Sequence, residues 1–363
     1  MRGIQRTNQI TVFQMVCVLL LCRFYQFLTY TPEQSGQAKG IWSLISVLCS
    51  ALLTLILLIP VLALNKRDPG LSVIECIGNA SPGYAHIVAL CYGVFAAVVA
   101  LYTVSTFSVF ISSTILPQAS MFFLAASMIL AAWYGAARGI EPSARLAFLI
   151  LICFLASLIW IIRGVVPYLE IHTITGEPDQ QAVWNFIKSI WSGTARDMEA
   201  VLFVLMLPYV KGNKKKGFIW YLVLYFVFSI VCILLMWFSL GKLAQYQRFP
   251  FYTLASMAQA PLLDRMDAIH IALWTFFAYL RAGIYLYFSG ICFSHFKVRN
   301  TTKKVLTCLG IAGLIAAAVF LSGNTLFLTG LRYFMSGGIF TLFLIVVIPV
   351  SILLIRRKWD ETK

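Results

Sequence analysis

The chain has 363 residues, 61% of them hydrophobic and 11% charged, with a mean hydropathy of +0.87. Soluble domains are about 45–50% apolar and about 25% charged, so a water-soluble globular protein is excluded and an integral membrane protein is defined. A net charge of +15 would fit a nucleic-acid binder only as a basic face on a soluble domain. The lysines and arginines here lie in short loops between apolar runs, so no nucleic acid is expected as a partner and the lipid bilayer is.

A helical span needs about 20 apolar residues, whereas a barrel strand needs about 10 in strict alternation. The uncharged stretches Gly40 to Asn65, Cys76 to Ala137, Gly217 to Gly241, Val305 to Leu331 and Tyr333 to Ile355 are long and do not alternate, so the spans are helices. Ten are predicted, at about 10–30, 41–64, 84–112, 118–137, 144–163, 193–210, 218–240, 266–290, 304–322 and 335–355. Residues 10–22 behind Arg2 and Arg6 resemble the apolar part of a signal peptide, but no A-x-A site follows and many spans come after, so an uncleaved first helix is expected. Between spans 2 and 3, Ser72 precedes Glu75 at capping-box spacing, and Leu71 to Ala80 is read as lying along the interface. Span 3 carries a polar stripe, Tyr102, Ser105, Thr106 and Ser112, with Val109 on the same face. It reads as helix–helix packing, with a cavity wall as the alternative. Pro208, in Leu207-Pro208-Tyr209-Val210-Lys211, marks a kink or the end of span 6.

Two longer connections, 164–192 and 241–265, lie on one side. Charged and glycine-proline segments such as Glu170 to Asp179 are read either as a structured cap or partner contact or as solvated loop. Basic residues in short loops set orientation: with the termini inside, eighteen lysines and arginines fall on the cytoplasmic side and seven opposite. Both termini are therefore expected in the cytoplasm. The chain reads as a single membrane domain, 1–363, in two five-span halves of similar length, 10–163 and 193–355, joined by the outer loop 164–192. Five is odd, so the halves would enter the membrane from opposite sides, which is the arithmetic of an inverted repeat.

Nine cysteines lie almost all inside apolar runs without C-x-x-C spacing, as small core residues do. His86, His172, His270 and His295 form no cluster, and no phosphate loop, triad or zinc motif occurs. No enzyme, cofactor or metal is expected.

Three basic residues remain within spans, Arg23, Arg196 and Arg281, together with Asp197 and Glu199. Charges inside a membrane are costly and face a bundle interior or water, so each is a candidate functional residue. At about 1.5 Å rise per residue, Arg23 in span 1 and Asp197 and Glu199 in span 6 share a level, so Arg23 can pair with either carboxylate. Such a cluster either locks span 1 to span 6 or lines a cavity offering both charge signs, which suits a zwitterion such as an amino acid. Arg281 in span 8 is placed deeper, toward the cytoplasm and facing the bundle interior, where a fixed cation would take the place of a bound sodium ion.

Several segments resemble the B subunits of spore germinant receptors, the spore germination permeases of the amino acid/polyamine/organocation transporter superfamily. Ala137-Arg138-Gly139-Ile140-Glu141-Pro142-Ser143-Ala144-Arg145 is similar to the family's turn between spans 4 and 5. Met198-Glu199-Ala200-Val201-Leu202, ending in Leu207-Pro208-Tyr209-Val210-Lys211, resembles its Gly-Phe-Glu helix with a Pro-Tyr exit. Tyr246-Gln247-Arg248-Phe249-Pro250 resembles its outer-loop proline segment. Arg265-Met266-Asp267-Ala268, running on to Trp274, resembles the start of its span 8, and Arg281 stands where members often carry lysine. Two positions depart from the pattern: Val12 to Leu28 has neither the glycines nor the proline that usually break span 1, and Asp197-Met198 replaces Gly-Phe.

The resemblance implies an all-α integral membrane protein with a LeuT-like 5+5 inverted repeat of ten transmembrane helices in the inner membrane of the spore. It implies assembly with a germinant receptor A subunit and a C-subunit lipoprotein. A small-molecule nutrient, often an amino acid, would bind among spans 1, 3, 6 and 8, which makes Glu199, Asp197, Arg23, Arg281, Tyr102 and Thr106 the candidate substrate-binding residues. The expected function is a membrane subunit of a nutrient germinant receptor that triggers spore germination. The alternatives are a proton-coupled amino-acid permease and a scaffold subunit with a degenerate pocket.

Overall fold

In lipid the backbone must satisfy its own polar groups, which long apolar runs do by forming helices. The computed structural model describes residues 9–29, 41–78, 80–169, 182–247, 249–258, 266–296 and 300–361. The helices are α1 (Val12–Leu28), α2 (Ile41–Leu57), α3 (Ile59–Arg67), α4 (Val73–Gly78), α5 (Pro82–Thr114), α6 (Met121–Arg138), α7 (Ile140–Val165) and α8 (Ala182–Ala195). They continue with α9 (Glu199–Met206), α10 (Lys214–Leu240), α11 (Pro250–Met257), α12 (Met266–Phe293), α13 (Asn300–Gly323) and α14 (Thr325–Ser336). The last stretch is α15 (Ile339–Leu342), a π-helical turn (Phe343–Val347) and α16 (Ile348–Glu361).

Among the described residues, eight stretches are long and apolar enough to cross a membrane: Ile41–Arg67, Pro82–Thr114, Met121–Arg138, Ile140–Tyr168, Lys214–Leu240, Asp267–Phe293, Val305–Gly323 and Ile339–Arg357. They coincide with eight of the ten expected spans. The other two take a different form. The first, α1, is apolar but only 17 residues long. The sixth, expected as one helix over 193–210, is interrupted at Arg196, Asp197 and Met198: α9 fills its later part, while α8 reaches only to Ala195 and lies mostly in the stretch 164–192 that was read as an outer loop. Pro208 does fall where a helix ends, in a 3-10 turn (Leu207–Tyr209) that follows α9.

A helix apolar on every side belongs in the interior of a bundle, and α1 occupies that place. Every residue from Met15 to Tyr25 is buried, packed against α7, α9, α10 and α12. The start of α1 is fixed by a capping box that the sequence reading missed: Gln14 N donates to Thr11 Oγ1 at 3.2 Å and Thr11 N to Gln14 Oε1 at 2.9 Å. Just before it, β1 (Ile10–Thr11) pairs in parallel with β2 (Val210–Lys211), Ile10 opposite Val210 and Thr11 opposite Lys211. This short ladder ties the beginning of α1 to the chain leaving α9. By contrast α13 shows Val305, Leu306, Leu309 and Phe320 outward, as a helix facing lipid does.

The expected interfacial stretch is α4, with the predicted capping box in place: Ser72 N donates to Glu75 Oε2 at 2.7 Å and Glu75 N to Ser72 Oγ at 3.1 Å. Helix α3 begins with Pro60 in its first turn, which explains its separation from α2. In the 241–265 connection, α11 packs on α7, α10 and α12, as a structured cap would. Segment Glu170 to Asp179 lies outside the described residues. The helix α14 was not anticipated in the link between the last two spans.

Candidate functional site

Breaking a helix inside a bundle exposes carbonyls at one new end and N–H groups at the other, and each needs a partner away from water. The break between α8 and α9 meets that demand almost entirely from within the chain. On the α8 side, Ser192 O accepts from Arg196 N at 3.2 Å and from Arg196 Nε at 2.8 Å. Gly193 O accepts from Arg23 Nη2 at 3.3 Å. Thr194 O accepts from Asp197 N at 3.0 Å, and Ala195 O from Thr341 Oγ1 at 3.3 Å. Arg196 O accepts from Met198 N at 2.9 Å and, in a very short bond, from Arg23 Nη1. On the α9 side, Ala200 N donates to Asp197 O at 3.1 Å, while Val201 N and Leu202 N share Met198 O.

Four buried charges surround this break. Arg281 Nη1 lies 3.2 Å from Glu199 Oε1 and Arg23 Nη1 lies 3.8 Å from Glu199 Oε2. Asp197 Oδ1 accepts from Tyr221 OH at 2.8 Å. Arg281 Nη1 also donates to Cys22 O of α1 at 2.7 Å, and its Nη2 approaches Met198 Sδ at 3.6 Å. Two guanidinium groups against two carboxylates leave the cluster with no net charge, which is the condition for holding ions in a low-dielectric interior. Both carboxylates stand at the start of α9, where the helix dipole favours negative charge. Arg23 lies at the carboxyl end of α8, where the dipole favours positive charge.

Aromatic rings line the cluster. The Arg23 guanidinium sits 4.7 Å from the Tyr225 ring centroid, and that of Arg281 is 5.7 Å from Tyr25 and 5.5 Å from Tyr285. Tyr25 in turn stacks on Trp274 with centroids 5.0 Å apart. Among the described residues, Arg23 Nε, Gln26 Nε2, Arg281 Nε and Tyr285 OH are buried with no hydrogen-bond partner, and the Glu199 oxygens accept none beyond their ion pairs.

Four of the six expected site residues, Arg23, Asp197, Glu199 and Arg281, therefore meet at one place. Of the two carboxylates open to Arg23, Glu199 is within ion-pair distance at 3.8 Å, while Asp197 accepts from Tyr221 and also interacts electrostatically with Arg23. Arg281, expected to face the bundle interior, does so: it is fully buried, with its guanidinium beside Glu199. Thr106 is one step removed, its Oγ1 2.7 Å from Tyr25 OH. The remaining stripe residues bond their own helix, Ser105 Oγ to Leu101 O at 2.9 Å and Ser112 Oγ to Val109 O at 3.1 Å, rather than a neighbouring one. Tyr102 is half-buried on α5, with its carbonyl accepting from Thr106 Oγ1 at 2.9 Å. Arg196 folds back onto Ser192, its Nε bonding Ser192 O at 2.8 Å and its Nη2 bonding Ser192 Oγ at 3.1 Å.

Sequence reasoning missed Tyr221, Tyr225, Tyr285 and Gln26, and the Cys22 carbonyl. Tyrosines in apolar runs carry no charge signal; only Tyr221 and Tyr225, one helical turn apart on α10, offered a pattern to find. Near one end of α9 and α12 lies a cavity of about 230 Å³, lined in part by Ser72, Glu75, Tyr92, Tyr209, Cys292 and His295.

These features define an all-helical membrane protein whose bundle is interrupted at a buried, charge-balanced cluster. The chain belongs to the spore germination protein family, the spore permeases, whose sequence profile matches residues 9–326 and so takes in the whole cluster. That family is transporter-like and is not a known enzyme family. No curated protein matches the chain.

Proposed function

We propose that this chain is the membrane subunit of a nutrient germinant receptor in the inner membrane of the spore, and that it binds a small nutrient at the break between α8 and α9. In this reading α1 and the α8–α9 pair complete ten crossings in a LeuT-like 5+5 inverted repeat with both termini cytoplasmic. A germinant receptor A subunit and a C-subunit lipoprotein are its partners. The observation that carries the reading is the break itself: two half-helix ends and both charge signs meet in a buried place, as discontinuous helices do at the binding sites of transporters. Nutrient binding would act through a difference in affinity between two arrangements of these helices. An amino acid, carrying both charges, is the ligand class that fits best.

The test is spore germination in single nutrients with Glu199→Gln, compared at equal receptor level by immunoblot. The expected result is a weakened response to one nutrient, and an unchanged dose–response would sink the assignment of the site.

The 230 Å³ cavity at the end of α9 favours a second reading, a proton-coupled amino-acid permease in which Arg281 stands in for sodium. Uptake by purified protein in liposomes separates it from the receptor. A scaffold subunit is the outcome if changes at Arg23 and at Glu199 leave every nutrient response intact.

A further inference from the structure

The guanidinium of Arg23 sits in surroundings built for a cation. Two backbone carbonyls, Gly193 O and Arg196 O, accept from its terminal nitrogens, and Gln26 Oε1 accepts from Nη1 at 3.1 Å. The Glu199 carboxylate is 3.8 Å away, and the Tyr225 ring covers one face at 4.7 Å. Arg23 is 6% exposed and Glu199 fully buried. Carbonyls at a helix end, a carboxylate and an aromatic face are the three elements that recognise guanidinium and ammonium groups. The occupant is a side chain of the same protein, reaching across from α1.

The fit is incomplete on the tether's side. Arg23 Nε and the neighbouring Gln26 Nε2 are buried without a hydrogen-bond partner, so the side chain satisfies the carbonyls of α8 while leaving its own stem nitrogen unsatisfied. A free guanidinium or alkylammonium group carries no such stem. Withdrawing Arg23 would leave Arg281 to face Asp197 and Glu199, so this corner of the cluster would be one positive charge short.

We infer that the break between α8 and α9 is an organic-cation site held closed by Arg23 as a tethered occupant, and that a ligand bearing a guanidinium or primary ammonium group enters by displacing it. This rests on the break being the ligand site, and it narrows the ligand to a compound whose cationic group competes with Arg23. A bound ammonium group would meet the carbonyls that Arg23 now holds. The displaced arginine would be left without its partners, which is the change a ligand needs in order to shift the balance between two conformations.

The experiment uses the purified full-length chain in detergent and follows thermal unfolding with ethylguanidinium chloride as the probe, against sodium chloride at equal ionic strength. Arg23→Ala is expected to unfold at a lower temperature than the native chain and to recover most of that loss, saturably, with ethylguanidinium but not with sodium. The native chain, whose site is already filled, should respond only at concentrations at least about tenfold higher, since apparent affinity falls with the fraction of open sites. Arg23→Met keeps the apolar stem and supplies the same readout where the alanine variant does not fold. Adding Asp197→Asn to either variant should remove the recovery. A folded variant that shows no recovery, or that responds like the native chain, overturns the inference. Because no nutrient or spore is involved, the outcome is independent of the germination test of Glu199→Gln, and either can fail alone.

Discussion

Arg281 Nη1 and Glu199 Oε1 stand 3.2 Å apart with both side chains at 0% exposure, joining α12 to the first turn of α9. A buried pair of this kind adds little stability over an apolar pair, but removing one partner strands the other, at about 3–5 kcal/mol. Arg281→Met is therefore expected to lower the thermal midpoint strongly, because Glu199 keeps only Arg23 at 3.8 Å. Adding Glu199→Gln should recover part of the loss. Equal or greater loss in the double variant would show that the pair is not coupled as its geometry requires.

The packing of α1 on α10 depends on Gly217. A Cβ there would overlap Val12 Cγ1 and lie 2.8 Å from Met15 Cε. Overpacking of this kind costs about 1–3 kcal/mol. Gly217→Ala should lower the unfolding temperature, and Val12→Ala in the same chain should relieve most of the strain. Independent, additive losses would contradict the contact.

At the start of α15, Gly338 has φ +78°, and its Cβ would meet Ala195 Cβ at 2.7 Å and Trp191 Cζ2 at 3.0 Å. The left-handed backbone alone costs an ordinary residue about 1–2 kcal/mol. Gly338→Ala should destabilise the protein by more than that, because the added methyl presses on the carboxyl end of α8. Measured against Gly70→Ala, where φ is +86° and nothing lies within 4 Å, the excess isolates the contact with α8.

In α4, burial pushes the Cys76 thiol up to about 12, with Asp68 adding to the rise and Arg356 opposing it. An unfolded thiol ionises near 8.5. Above that value the unfolded chain gives up the proton that the folded chain keeps, so the Cys76 contribution to stability is full below it and declines as pH rises. Iodoacetamide labelling near pH 9, read by mass spectrometry, should be slow at Cys76 in the folded protein and rapid after unfolding in dodecyl sulfate. Equal rates would mean that the thiol is not sequestered.

The eight long spans were legible because each is a run of apolar residues whose length the bilayer sets. The charged cluster was legible for the complementary reason, that Arg23, Asp197, Glu199 and Arg281 stand out against such runs. The break in span 6 was not. Its residues Arg196, Asp197 and Met198 include neither glycine nor proline, and the interruption is stabilised by donors from distant segments, Arg23 and Thr341, that local pattern cannot reveal. In the same way the unbroken α1 followed from its lack of glycine and proline, yet nothing local indicated that its Cys22 carbonyl would receive Arg281. Helix α14 was hidden because it straddles Arg332, the charge at which a reading by span length places the link between the last two spans.

The ladder between Ile10–Thr11 and Val210–Lys211 and the bonds from Arg23 to the residues just before α9 fasten the same two segments at separate heights. Along α1 these fastenings are about 18 Å apart at the helical rise. One fastening would act as a pivot, whereas two fix tilt as well as position. The segment from Arg196 to Lys211 and the length of α1 beside it are thus mounted as a single strut, and the bonds of Arg281 to Glu199 and to Cys22 O join that strut to α12.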